Sequence, residues 1–304
     1  MRKRHLLAAA VVLFAACSED DQTPTAPSSE PSLATGDNGM HGKPEPHMFF
    51  RKGFARPGGG GSPNLINHGG PVLTSSKAMA IFWGSSWNTP SFAGDKITGI
   101  DSFLGGFGGS NFAGTNTEYS GITKTMSYLG HTIDATEPPA RKALTVSQAV
   151  AEACKVTGNN PDASAVYLIY TSTTAGHVNY CAWHSAGTCG NGKAVQVAYM
   201  PNIDNIGGCD PGGHLDHSEG LAALANVTAH ELSEAITDPR LNAWYDSGGS
   251  ENADKCAWVF PSFVTLKNGT TWQAQGNWSN AHYNAGTGYP NLSGQKGCIN
   301  GNQS

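Results

Sequence analysis

Basic residues are scarce in this sequence, and beyond the first four positions they form no cluster. Lys and Arg together number 18 against 23 Asp and Glu, so the formal net charge at pH 7 is −5. A protein that binds nucleic acid needs a concentrated basic surface to meet the phosphates. Nucleic acid is therefore not an expected partner.

Three familiar patterns are also missing. No C-x-x-C pair occurs, which argues against a metal held by cysteines, and no G-x-S-x-G elbow occurs, which argues against a serine hydrolase. No segment repeats at a fixed period, which argues against a solenoid or a propeller. The chemistry must therefore be sought among histidines and carboxylates.

The apolar run near the start, residues 6–16, follows Arg2, Lys3 and Arg4 and is too short to span a membrane as a helix. It predicts an export signal over residues 1–17. The run ends in FAAC, similar to the box that precedes the lipid-carrying cysteine of bacterial lipoproteins, so Cys17 is the predicted lipidation site. Membrane contact is expected only through that anchor, and ordinary cleavage with free secretion is the alternative. Both alternatives place the protein outside the cytoplasm.

The next segment, residues 18–61, is rich in Pro, Gly and Ser and has almost no periodic apolar residues. Such a segment cannot bury enough surface to offset its ordering entropy, so it is predicted to be a disordered tether. Residues 62–304 then form one domain on length alone.

Apart from Cys17, the chain has an even number of cysteines, which in an exported domain predicts three disulfide bonds. The candidates are Cys154, Cys181, Cys189, Cys209, Cys256 and Cys298. The spacing does not choose among the possible pairings.

The order of apolar patterns predicts a mixed α/β fold, with a mixed sheet and helices packed on it. KAMAIFWGS, SAVYLIYTS and KAVQVAYMP read as strands, and TEYSGITKTMSYLG as a pair of short strands. Helices are expected after Thr89 and over LTVSQAVAEACKV. The tail from Ser262 reads as loops and short strands, stapled by a disulfide through Cys298.

One helix, predicted over residues 218–238, carries the clearest chemistry. Its apolar residues recur every three or four positions and form one stripe, and His230 and Glu234 lie on the opposite side. The neighbours of His230 on that side are small and apolar rather than charged, so this side is also expected to be covered. Pro239 ends the helix and lets the following chain fold back over it.

The motif H-E-x-x-E, from His230 to Glu234, resembles the zincin motif H-E-x-x-H with a glutamate in the second ligand position. Residues four apart lie on one face, so His230 and Glu234 can reach one ion, and zinc accepts both donor types. Glu231 is then the candidate catalytic general base.

Further ligands are expected from several places. His214 or His217 is favoured as the third zinc ligand, Asp238 at the end of the helix is included as a candidate, and His184 is a further possibility. A second, acidic site is possible downstream, and calcium is the alternative ion there. Its candidate residues are Asp246, Glu251 and Asp254.

Four phrases of the sequence resemble the Exordium-like, phosphate-induced family of secreted proteins. They are NHGGPVLTSSKAMAIFWGSSW, HVNYCAWHSAGTC, AVQVAYMPNID and GLAALANVTAHELSEAITDPRLNAWYD. The resemblance covers most of residues 66 to 300 and implies an extracellular protein with a link to cell-wall and growth responses in plants. It carries over no established chemistry, and the chain departs from the plant pattern at the His230–Glu231 pair.

The sequence supports two functional hypotheses. The first is an exported, lipid-anchored, zinc-dependent hydrolase of the peptidase kind, acting on a peptide or protein. The second is a non-catalytic extracellular protein that binds cell-wall polysaccharide or a partner, with any metal structural. The second hypothesis uses exposed aromatic rings, and the candidates are Trp87, Trp278, Tyr283 and Tyr289.

Overall fold

The computed structural model of the protein describes residues 46–54, 61–140 and 142–302. The strands are β1 His47–Phe50, β2 Ile66–Asn67, β3 Ser76–Trp83, β4 Met126–Asp134, β5 Ala165–Thr171, β6 Tyr180–Thr188, β7 Ala194–Met200, β8 Trp244–Tyr245, β9 Val264–Thr265, β10 Thr271–Trp272, β11 Asn277–Trp278, β12 Tyr289–Pro290 and β13 Lys296–Ile299. The helices are α1 Pro90–Ala93, α2 Lys96–Phe107, α3 Asn111–Gly114, α4 Val146–Val156, α5 Glu219–Thr237 and α6 Asn280–Asn284. None of these helices is both long and apolar enough to cross a membrane.

A six-stranded mixed sheet forms the centre of the domain, in the order β1-β6-β7-β5-β3-β4. Strands β4, β3, β5 and β7 run parallel, β6 is antiparallel to β7, and β1 is antiparallel to β6. Every residue of β5 is buried, as expected for an interior parallel strand covered on both faces. The predicted mixed sheet with packed helices is therefore confirmed.

Helices cover both faces of this sheet. On one side α4 packs against β5, β6 and β7, and on the other α5 packs against the same strands and β1. The side chains of β5 alternate accordingly: Tyr167 and Ile169 belong to the core under α4, whereas Leu168 and Tyr170 belong to the core under α5. Thus α5 lies between the sheet and the C-terminal segment.

Helix α5 matches the predicted span of 218–238. The Ser218 side chain accepts a hydrogen bond from the Leu221 amide and caps the helix at its N-terminus. Every residue from Leu221 to Thr237 is buried, so the side that carries His230 is covered as completely as the apolar stripe. A helix buried all round must pair each of its polar groups inside the protein.

Three disulfide bonds hold the fold together, as the cysteine count predicts. The pairs are Cys154–Cys189, Cys181–Cys209 and Cys256–Cys298. The second pair ties β6 to the loop before α5, and the third ties the C-terminal strands to the loop after α5. Disulfides of this kind indicate an oxidising, extracytoplasmic environment.

Three sequence expectations need correction. TEYSGITKTMSYLG contains one strand, β4, which continues to Asp134, rather than two. The helix after Thr89 is two helices, because Gly94 turns the chain with a positive φ between α1 and α2. The predicted tether, residues 18–61, contains β1, which pairs with β6. The apolar residues Met48, Phe49 and Phe50 favour a strand here, although the surrounding segment is rich in Pro and Gly. Residues 18–45 and 55–60 lie outside the described part of the chain.

The disulfide between β6 and the loop before α5 should contribute strongly to stability. We expect the double variant Cys181→Ser/Cys209→Ser to lose about 3–4 kcal/mol of unfolding free energy, because the bond closes a loop of sequence separation 28. Urea denaturation followed by tryptophan fluorescence measures this loss. An unfolding midpoint equal to that of the wild type would contradict the expectation.

Candidate metal site

Two histidines face each other across the edge of the sheet. His47 on β1 and His184 on β6 are directly paired residues, and their ring centroids are 5.4 Å apart. Both rings lie on the face covered by α5, as does Phe49, two residues further along β1. The residue paired with His184 on the other side, in β7, is Ala198, whose small side chain leaves room beside the imidazole.

Helix α5 presents the third histidine to the same place. The Phe49 ring stacks on the His230 ring with centroids 3.8 Å apart and planes 16° from parallel. One turn later, Glu234 Oε1 lies 3.2 Å from His230 Nε2, while its Oε2 lies 3.5 Å from His47 Nε2. Glu234 Oε2 also lies 3.6 Å from His184 Nε2. Glu234 therefore stands between all three imidazoles.

The turn after β8 adds two more carboxylates. Asp254 Oδ2 lies 2.7 Å from His47 Nε2, and Asp254 Oδ1 lies 3.6 Å from His230 Nε2. Glu251 Oε1 lies 3.3 Å from His184 Nε2 and 3.4 Å from His47 Nδ1. The Asp254 amide donates to Glu234 Oε1, and the Glu251 amide donates to Asp254 Oδ2, so the turn also orients these carboxylates.

This group of three imidazoles and three carboxylates could hold a metal ion. Ligand atoms that bind one zinc ion at about 2.0–2.2 Å stand about 3–3.6 Å apart. All the imidazole–carboxylate separations given above have that length except the 2.7 Å between His47 Nε2 and Asp254 Oδ2, which is a hydrogen bond. The side chains of His47, His184, His230, Glu234 and Glu251 have no exposed surface, and that of Asp254 is 12% exposed. Glu234 belongs to every set of possible ligands in the cluster.

Buried polar atoms without hydrogen bonds support this interpretation. His230 Nε2 and both carboxylate oxygens of Glu231 are buried, and no hydrogen-bond partner for them is found among the described residues. A buried polar atom without a partner lowers the stability of the folded state, and a bound ion or water usually accounts for such an atom. A cation between these side chains would supply the electrostatic partner that these buried atoms need.

Glu231, the predicted base, lies close enough to His184 and Glu234 to share an ion with them. Burial raises the pKa of Glu231 well above its ordinary value, and the nearby charges of Glu234 and Asp254 raise this pKa further. The Phe49 backbone N–H acts in the opposite direction and lowers the Glu231 pKa. A cation in the cluster would favour the ionised carboxylate.

Gln275 supports the His230 ring from behind. Its Nε2 lies 2.8 Å from His230 Nδ1 and donates to the Ala253 carbonyl, while the Trp258 amide donates to Gln275 Oε1. In this orientation Nδ1 accepts, which places the proton of the neutral ring on Nε2. Metal binding through Nε2 would move that proton to Nδ1, and the carboxamide would have to turn its oxygen toward the ring.

The structure brings together some predicted site residues and leaves others apart. His230, Glu231 and Glu234 lie in the cluster, and the acidic residues Glu251 and Asp254 join them instead of forming a second site. Asp246 does not join: its carboxylate pairs with Lys255 at 2.9 Å.

His214 and His217, the favoured third ligands, belong to none of the ligand sets found among the described residues. His214 pairs with Asp210 at 2.7 Å, and His217 stacks on Trp272 with ring centroids 4.1 Å apart. The choice of this loop for the third ligand needs correction, because these contacts engage both rings elsewhere.

Asp238 ends α5 and accepts hydrogen bonds from the Asn242 and Ala243 amides, so its described role is to shape the turn after the helix. It is likewise absent from the ligand sets of the described residues. Cys17, the predicted lipidation site, lies outside the described part of the chain.

His47 and Gln275 are the site residues that sequence reasoning missed. His47 falls inside the segment predicted to be a tether, and only the apolar residues that follow it indicate a strand. Gln275 is a neutral residue in a segment that reads as loop, and no spacing rule relates it to His230.

The aromatic rings proposed for polysaccharide binding are mostly inside the protein. Trp278 has no exposed surface and Trp87 is 3% exposed, while Tyr283 and Tyr289 are partly buried. The expectation that the two tryptophans are exposed is therefore wrong. Trp278 packs against Tyr283, and Trp87 packs in the core against Phe82.

Comparison of the chain with protein-family models, curated proteins and solved structures finds no match. The resemblance to the Exordium-like family stays a prediction, and any assignment of function rests on the site itself.

The contact between Gln275 and His230 gives a test of the site. We expect Gln275→Leu to weaken zinc binding about 10–100-fold, because it removes the acceptor that a metal-bound His230 needs for its Nδ1–H. Gln275→Glu should bind zinc at least as well as the wild type, because a carboxylate presents an acceptor to Nδ1 without turning. Competition with a chromophoric chelator measures both affinities.

Gln273→Leu, two residues away on the same segment, is the matched control and should leave the affinity unchanged. Equal affinities for Gln275→Leu and the wild type would show that Gln275 does not support a ligand.

Proposed function

We propose that this protein is an exported, metal-dependent hydrolase that cleaves peptide bonds. The observation that carries the proposal is Glu231. Its carboxylate is buried, accepts no side-chain hydrogen bond from the described residues, and lies within reach of His184 and Glu234 in the cluster. A purely structural ion would not need this additional buried acid, whereas a hydrolytic site needs a base next to the metal.

Zinc is the proposed ion, since it accepts imidazole nitrogen and carboxylate oxygen equally well. His230 and Glu234 would hold it, with His47, His184 or Asp254 completing the set. Calcium fits less well, because three imidazoles converge here and calcium prefers oxygen ligands. When bound, zinc would polarise the carbonyl under attack and acidify a water molecule.

The protein residues would then have separate tasks. Glu231 would take the proton from the attacking water and deliver it to the leaving nitrogen. Phe49, stacked on His230, and Gln275 would fix the imidazole and keep bulk water away from it. Asp254 and Glu251 would orient the histidines of the sheet edge.

Access to the site is at Asp254, the one partly exposed carboxylate of the cluster. Asp254 borders a surface cavity of about 350 Å³ whose walls include Phe50, Phe54, Trp258 and Leu292. Apolar walls next to the reacting centre suit an apolar side chain of a peptide substrate.

Export is part of the proposal. The three disulfides of the described domain support an oxidising location. A lipid anchor at Cys17, with free secretion as its alternative, and membership of the Exordium-like family remain proposals from the sequence.

The roles of Glu231 and His230 can be separated by mutation. We expect Glu231→Gln to keep the zinc content of the wild type and to lower kcat/KM on a fluorogenic peptide library about 10²–10⁴-fold, because it removes the base but not a ligand. His230→Ala should lose at least one zinc ion per chain. Elemental analysis and peptide-cleavage assays measure the two quantities.

His214→Ala is the control, since that histidine lies outside the cluster, and it should change neither quantity. Peptide cleavage that is equal in Glu231→Gln and the wild type would rule out the base role.

The complete burial of the histidines favours one other candidate, a structural ion in a non-catalytic protein. Structural metal sites are closed, and here only Asp254 reaches solvent among the clustered side chains. In that case zinc removal would lower the unfolding temperature, and no peptide in the library would be cleaved. The binding of cell-wall polysaccharide or a partner would then be the remaining hypothesis.

A further inference from the structure

The two bridging carboxylates of the cluster face different histidines with their two oxygens. Glu234 Oε1 is 3.2 Å from His230 Nε2, and Glu234 Oε2 is 3.5 Å from His47 Nε2. Asp254 also faces both rings: its Oδ1 lies 3.6 Å from His230 Nε2, and its Oδ2 forms a 2.7 Å hydrogen bond with His47 Nε2, whose proton a metal ion would replace. Each carboxylate therefore spans from the helix histidine to the sheet histidine.

We propose that the cluster binds two divalent metal ions, bridged by Glu234 and Asp254. The first ion would take His230 Nε2, Glu234 Oε1 and Asp254 Oδ1. The second would take His47 Nε2 with Glu234 Oε2 and Asp254 Oδ2. Two metals that share carboxylates in this way lie about 3.5–4 Å apart, as in two-metal hydrolases.

The remaining ligands favour the second position. His184 Nε2 lies 3.6 Å from Glu234 Oε2, on the side of His47, and 3.3 Å from Glu251 Oε1. The sheet edge thus offers two imidazoles near Glu234 Oε2, whereas Glu251 Oε1 faces His47 at Nδ1 and not at Nε2. Because more imidazoles surround the second position, we expect it to bind its ion more tightly than the first position does.

This inference deepens the proposed function, which requires only one ion. It adds a second ion to the one that the proposed function requires, and it leaves to Glu231 the proton transfer already assigned to that residue. The ion count therefore tests the inference separately from the activity.

The test measures ion content in the full chain after removal of bound metal with a chelator and dialysis against Zn²⁺. We expect two zinc ions per chain in the wild type, one in His230→Gln and one in His47→Gln, because each variant removes the histidine of one position. His214→Gln is the control and should keep two. A one-ion site predicts one ion in the wild type and none in either cluster variant.

A second measurement needs no variant and is independent of folding defects. The wild-type chain loaded with Mn²⁺ should give the electron paramagnetic resonance spectrum of an exchange-coupled pair, because the bridged ions lie close together. One ion per chain, or two without coupling, overturns the bridged pair but leaves the hydrolase proposal intact. No bound ion overturns both.

Discussion

The mutual compensation of imidazoles and carboxylates around Glu234 is the interaction on which the rest of the structure depends. Helix α5 is buried on every side, so its polar residues cannot reach water. Without His47 and His184 opposite, and without the turn that carries Asp254, the Glu234 carboxyl would lie in the core without these polar partners. The helix can be central in the fold only because two other segments supply its partners.

Those partners come from parts of the chain that are far apart in sequence. One ligand pair is on neighbouring strands at the sheet edge, another is on the helix, and a third is on the turn that Pro239 allows to fold back. Two disulfides hold the segments that carry the cluster residues. One joins β6 to the loop before α5, and the other joins the C-terminal strands to the loop containing Cys256. The site is thus defined by long-range packing, and only its helix is a local motif.

This division explains what could be predicted. Strands β3, β5 and β7, helices α4 and α5 and the number of disulfides follow from periodicity and composition, because these features are encoded over a few neighbouring residues, whereas the interior strand β6 was not predicted. The His230–Glu234 pair follows from helical spacing for the same reason. His47 could not be assigned in this way, since its position depends on pairing with β6. The histidines of the 214–217 loop had the right chemistry but lie outside the cluster, because Asp210 and Trp272 bind them.

Strand β1 is at the edge of the sheet and is joined to it by one ladder only, with β6. Detaching it breaks far fewer contacts than unfolding the domain, yet it removes both His47 and the Phe49 ring that covers His230. Release of this edge would open the cluster more widely than the approach at Asp254 does, without unfolding the domain. Exchange of a bound ion would then depend on local strand release as well as on the opening at Asp254, and a chain that begins at residue 62 would lack the part of the cover that β1 supplies.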